Sequence, residues 1–188
     1  MLERISTNRP TSLCVQPTFL IGTFDENGVP IFAPITWICA SWNEDHFVFV
    51  INMDGEKKSK DNVALSGIMS ANLVSTDMLD MLDFFGAKTG LDGEKKGIDY
   101  SWSMGEKLKV PTLDRSRYVY ELEVERVIPM CETTTMYLCA MRNIQVLREV
   151  FESPEEYPDL TALDPVIYSG RYHSIDECLG AIGDFWKP

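Results

Sequence analysis

Short apolar runs separated by tight turns, with no helical period between them, constrain this chain more than any other feature. Thr18 to Phe24 is a run of buried-strand type, and Asp25-Glu26-Asn27-Gly28 follows it. Asn-Gly is a strong hairpin turn signal. Ile31 to Trp42 then reads as a returning second strand and His46 to Met53 as a third. Three consecutive strands joined by short turns predict an antiparallel meander. Nothing in the pattern repeats the βαβ rhythm that a parallel sheet requires.

Beyond Met53 the pattern changes. Ser59 is placed to cap a short helix over Lys60 to Leu65, with Gly67 ending it. Ile68 to Ser75 reads as another strand, and Thr76 as the cap of a helix carrying Leu79, Leu82 and Phe85 on one face. Residues 86–111 hold five glycines and little periodicity, which predicts a long ordered loop. Tyr118 to Val127 alternates, with Tyr120, Leu122 and Val124 on one face and Glu121, Glu123 and Glu125 on the other. That is the signature of a half-exposed strand. Thr133 to Leu147 is its expected partner. Glu152 to Asp164 reads as an acidic, proline-bearing loop, and Ser174-Ile175-Asp176-Glu177 as a capping box opening a helix toward Phe185. Strands dominate and helices are short. A closed or partly closed antiparallel barrel follows, in one domain spanning residues 1–188.

Charge narrows the function classes. With 17 basic and 29 acidic residues the formal net charge is −12, so phosphate backbones and anionic lipid surfaces are repelled. Neither nucleic acid nor membrane is an expected partner; a basic protein could be steered toward such a surface. The opening residues MLERISTNRP contain no apolar stretch of secretory type, and no run approaches the roughly 20 apolar residues that span a bilayer. Five cysteines, Cys14, Cys39, Cys131, Cys139 and Cys178, are scattered without a CxxC pair, which argues against a disulfide framework and for a reducing, cytoplasmic setting. His46 and His173 lie far from each other and from any cysteine, so zinc spacing is absent and no metal site is expected. GxSxG, HExxH and the P-loop frame are all missing, the last despite the glycines and lysines of GAKTGLDGEKKG.

Two constellations remain. Glu56-Lys57-Lys58-Ser59-Lys60-Asp61-Asn62 gathers three lysines within four positions of a very acidic chain, at the exit of a strand and the start of a helix. A helix N-terminus with nearby amines and a hydroxyl suits a phosphate; a solvated, capped turn would account for the same residues. The second constellation is Ala33-Pro34-Ile35-Thr36-Trp37-Ile38-Cys39-Ala40-Ser41-Trp42, where small or hydroxylated residues alternate with large apolar ones. Such a strand lets backbone groups reach the edge of a flat ring, with Trp37 beside it. It would serve equally as a plain core strand.

In order and spacing, these pieces resemble the flavin reductase-like and flavoredoxin family. The resemblance runs from about Val15 onward. It rests on PTFLIGT, the turn DENG, APITWICASW, FVFVINM, KKSKDN, IMSANLVS, the loop Thr89-Gly90-Leu91-Asp92-Gly93-Glu94-Lys95 and the closing segment Pro165 to Tyr172. It implies an FMN-binding split β-barrel, antiparallel and Greek-key-like with a few short helices, that works as a homodimer with the flavin at the subunit interface. It further implies that Thr36, Trp37 and Ile38 contact the flavin, that Ser59, Lys60 and Asn62 hold the phosphate or ribityl chain, and that Lys95 and Tyr172 approach the cofactor. The implied activity is an FMN-dependent oxidoreductase fed by NAD(P)H or a redox protein. A non-catalytic flavin-binding protein or electron carrier is the alternative. One departure stands out: where the family often has a Gly-Asp-His turn, this chain reads Glu132-Thr133-Thr134-Thr135. That leaves the electron donor open, and no catalytic acid is named.

Overall fold

The computed structural model describes residues 15–87, 98–150 and 158–179. After a two-residue strand, β1 (Gln16–Pro17), the first hairpin forms where its turn signal stands, but through residues 25–29 and with Gly28 rather than Asn27 at positive φ. β2 (Phe19–Phe24) pairs antiparallel with β3 (Pro30–Ile35). Between them the Gly28 N–H donates to the Asp25 carbonyl at 3.0 Å, with Gly28 at φ 77°. The expected strand from Ile31 to Trp42 is, however, two strands: β3 stops at Ile35 and β4 (Ile38–Asn43) begins after Thr36 and Trp37. β4 pairs not with its predecessor but with β5 (His46–Met53).

This break closes the barrel. The main sheet has the order β3-β2-β6-β9-β10-β5-β4, where β6 is Ile68–Leu73, β9 Tyr118–Pro129 and β10 Thr135–Val146. Its two outermost strands are therefore consecutive in the chain. Only Thr36 and Trp37 separate them, a span of roughly 10 Å at full extension. A seven-stranded sheet whose edges are tied that closely must curl upon itself, leaving a seam without ladder hydrogen bonds between β3 and β4. The result is the mainly β, antiparallel split barrel that the strand pattern implied, although the meander expected of the first three strands is broken at Thr36-Trp37.

Burial follows from this curl. Phe19 and Ile21 of β2 point into the barrel with Ile35, Ile38, Phe49, Ile51, Met69, Ala71, Leu122 and Cys139. Leu20, on the opposite face, packs with Phe32, Met78, Met81, Leu82 and Phe85 beneath helix α2 (Leu79–Ala87). β2 is thus buried on both faces, which explains its unbroken apolar run. Gly22 sits where a side chain has no room: a Cβ there would lie 2.5 Å from the Pro111 carbonyl and 2.7 Å from the Phe32 ring.

Several expectations need correction. The long segment 86–111 contains a strand, β7 (Trp102–Met104), paired with β8 (Pro111–Leu113); its portion 88–97 lies outside the described residues. The acidic segment after residue 152 includes a single helical turn, α3 (Leu160–Leu163), whose first turn is capped by Asp159 accepting from the Thr161 N–H at 2.8 Å. Ser174 to Leu179 is irregular, and the remainder of the expected C-terminal helix lies outside the described residues. The clean alternation of β9 also fails at one position. Glu121 is fully buried, because a loop folds over that face and supplies donors. Its carboxylate accepts from the N–H groups of Glu106, Lys107 and Leu108 at 2.9, 2.9 and 2.6 Å. The side-chain amides of Asn143 and Gln145 each donate to it at 2.8 Å. Among the described residues, no helix is long and apolar enough to cross a membrane.

Candidate functional site

Helix α1 (Lys58–Ser66) starts two residues earlier than its sequence suggests. Lys57 occupies the cap position and offers no side-chain cap bond; Ser59 lies inside the first turn. The reason is the bend after β5, where the Lys60 N–H already donates to the Lys57 carbonyl at 2.9 Å and so draws Lys58 and Ser59 into the helix. The first turn leaves backbone N–H groups without intrahelical partners and carries the positive end of the helix dipole.

Around this turn three other segments meet. The Trp37 carbonyl accepts from the Asn52 N–H at 2.9 Å, which fixes the β3–β4 corner beside the end of β5. The hairpin between β9 and β10 closes from the other side, where Met53 pairs with Thr135. Lys60 Nζ donates to the carbonyls of Gly55 (3.2 Å) and Thr133 (2.8 Å), tying bend to hairpin. A second tie is Asp54, whose Oδ1 accepts from the hydroxyls of Thr134 (2.7 Å) and Thr133 (3.0 Å). Those hydroxyls, with the Gly55 N–H and the Lys57 charge, hold the Asp54 carboxyl below its usual pKa.

Within this frame the residues expected to bind a cofactor divide by role. Trp37 is 42% exposed, at the corner itself, with Thr36 beside it. The Ile38 side chain is buried in the barrel, so only its backbone can face a ligand. Ser59 is 1% exposed, yet its hydroxyl has no hydrogen-bond partner. Such a buried polar atom is costly unless something satisfies it. Lys58 is drawn away to Glu26 at 2.7 Å and Lys60 to two carbonyls, which leaves Lys57 as the amine of the knot with neither an ion pair nor a side-chain hydrogen bond among the described residues.

Of the three other expected residues, the structure describes two. Asn62 faces β2, where its amide donates to Thr23 Oγ1 at 3.0 Å; its Oδ1 has no partner. Tyr172 belongs to β12 (Tyr172–His173), which pairs with β11 (Ile167–Tyr168), and its hydroxyl donates to Asp83 on α2 at 2.8 Å. Burial, that bond and the Asp83 charge push its phenol up to about 12. Lys95 lies outside the described residues.

Sequence reasoning missed the part played by the hairpin. Cys131 is exposed there, and hydrogen bonds from Thr134 and Thr133 lower its thiol to about 7. The only signal was the departure at Glu132-Thr133-Thr134. No group of three or more His, Cys, Asp or Glu side chains among the described residues is arranged to hold a metal.

The comparisons agree with this architecture. A family model described as "Flavin reductase like domain" matches residues 11–176. Flavoredoxin of Desulfovibrio vulgaris (Miyazaki F) superposes with a TM-score of 0.88 at 18% identity, over 97% of this chain and 99% of that one. Flavoredoxin from Methanosarcina acetivorans gives 0.85 at 17% identity, covering 98% and 97%. An FMN-binding protein from Thermus thermophilus gives 0.78 at 15% identity, covering 96% and 98%. At such identities these likenesses establish the fold alone. No curated protein sequence matches the chain.

Proposed function

The chain belongs to the flavin reductase-like domain family, and from that membership we propose that it binds FMN at the α1 turn and works as an oxidoreductase through it. The observation that carries the assignment is the Ser59 hydroxyl, buried and unpaired at a helix N-terminus with Lys57 alongside. A phosphate there would accept from that hydroxyl and from the free N–H groups of the first turn, as anions do at helix starts. Lys57 supplies the countercharge in a chain of net charge −12. Thr36, Trp37 and the Ile38 backbone border the ring, and Lys60 holds the hairpin against the bend. Asn62 braces α1 against β2. Bound FMN would supply hydride or single-electron transfer, while the protein binds, orients and shields it.

Supply of electrons by NAD(P)H remains part of this reading. Electron carriage fed by a redox protein is favoured by one observation: the hairpin offers Glu132 to Thr134 in place of a histidine. Steady-state oxidation of NADH and NADPH separates the two. A second copy is the expected partner. The edge strand β4 is exposed from Cys39 to Trp42, and Phe47, Val127 and Met130 add apolar surface nearby. An unprotected apolar edge of this kind calls for a cover.

The test is an FMN titration followed by flavin fluorescence, with sedimentation of the same samples. Ser59→Ala combined with Lys57→Ala removes two charge-assisted contacts, each worth roughly 1.5–3 kcal/mol. The dissociation constant should rise at least about 100-fold. Unchanged affinity would remove the phosphate assignment, protein that ignores FMN would remove the flavin, and a 21.3 kDa sedimenting species would remove the dimer.

A further inference from the structure

A cleft of about 370 Å³ lies beyond the other half of α1, between the β2–β3 hairpin and β7. Apart from Asn62, none of the residues assigned to the flavin lines it. The volume is in the range of small-molecule sites.

Three features define what would fit. The walls are aromatic and apolar: Phe24 meets Trp102 edge-on at 5.4 Å between ring centroids, while the indole stays 39% exposed, and Leu65 and Met104 extend the apolar rim. The floor includes Asn62, fully buried, whose amide has one bond to Thr23 and leaves Oδ1 unpaired. The rim carries Lys109, which makes no ion pair among the described residues. The acids nearby are already engaged. Glu26 pairs with Lys58, and Asp25 Oδ1 accepts from the N–H groups of Asn27 and Val29 at 2.9 and 2.8 Å. Lys109 is therefore the cation left for a ligand's anionic group, across the cleft from an Asp25 that keeps its negative charge.

A ligand satisfying all three features has a flat ring to lie on an indole, an exocyclic N–H to donate to an amide oxygen, and an anionic group to reach an amine. We propose that this cleft is a binding site for an adenine nucleotide, with the base against Trp102, its amino group toward Asn62 and its phosphate toward Lys109. The site stands apart from the flavin assignment and does not depend on it.

Calorimetric titration of the full-length protein, as purified and after FMN addition, tests it with AMP, adenosine and NADH as probes. AMP should bind saturably in both preparations. Lys109→Glu should weaken AMP at least tenfold and leave adenosine within about twofold; Trp102→Ala should weaken both. Lys109 is exposed, so its variant tests the site even if Trp102→Ala disturbs β7. Displacement of NADH by AMP would identify a dinucleotide as the natural source, and independent NADH binding a free mononucleotide. Absence of saturable AMP binding up to millimolar concentration, or AMP affinity unchanged by Lys109→Glu, would overturn the proposal.

Discussion

Replacing Glu121 by glutamine gives the sharpest test of how this barrel holds its working surfaces. The carboxylate is fully buried and accepts five hydrogen bonds, three at Oε1 and two at Oε2. Glutamine keeps one acceptor oxygen and turns the other into a donor. In the better of its two orientations the new NH₂ faces the N–H groups of Lys107 and Leu108, so both bonds are lost and donors oppose donors. Hydrogen bonds to a charged group contribute about 1.5–3 kcal/mol each, which puts the loss at roughly 3–6 kcal/mol. Against a typical total of about 5–15 kcal/mol, the variant should be conspicuously unstable, melting roughly 6–24 °C lower. The pH dependence has a definite sign. Burial alone would raise the Glu121 pKa, but the bonds from Asn143, Leu108, Gln145 and Lys107 outweigh it and hold the group below 4.5. Its stabilisation is therefore complete above the unfolded-state value and fades as pH falls toward the lower folded value. Urea unfolding followed by tryptophan fluorescence between pH 3 and 7 reads both effects. A loss under about 1 kcal/mol at pH 7, or an acid limb identical in the two proteins, would refute this account of Glu121.

Two other outcomes follow from the same structure. Gly22→Ala should destabilise the protein by about 1–3 kcal/mol, as overpacking does, because the Cβ would meet the Pro111 carbonyl and the Phe32 ring; thermal melting checks it, and an unchanged melting temperature would contradict the close packing of β2 against β8. Cys131 should be alkylated by iodoacetamide with a rate that rises through a midpoint near pH 7, since only its thiolate reacts. Cys139, buried and pushed up to about 12, should stay unlabelled until the protein unfolds; peptide mass mapping distinguishes the two.

What the sequence displays is local, and what it hides is not. Asn27-Gly28 announces its turn because backbone conformation alone selects those residues. The helix over Leu79, Leu82 and Phe85 is equally plain, since its buried face is written at helical spacing. β5, β9 and β10 likewise stand close to where their apolar patterns put them. The break at Thr36-Trp37 leaves no such mark. No glycine interrupts Ile31 to Trp42, and the chain turns there only because strands far apart in sequence must close a barrel. Glu121 deceives for a related reason. An acid in an alternating strand reads as solvent-facing unless one knows that residues 106–108 and the side chains of Asn143 and Gln145 converge on it.

The candidate site inherits both properties. Its cationic turn is legible as a cluster, but which amine is free is decided by partners the sequence does not pair. Lys58 goes to Glu26, Lys60 to carbonyls on two segments, and Lys57 keeps its charge available. The Glu121 pin then links the two proposed ligand surfaces to folding. The loop it anchors continues into Lys109 and is preceded by Trp102, so loosening residues 106–108 should release the far wall of the second cleft while sparing the α1 turn. Glu121→Gln should therefore weaken AMP more than it weakens FMN under conditions where the protein remains folded. Equal weakening of both would mean that the barrel yields as a whole, and that the two clefts have no separate mechanical identity.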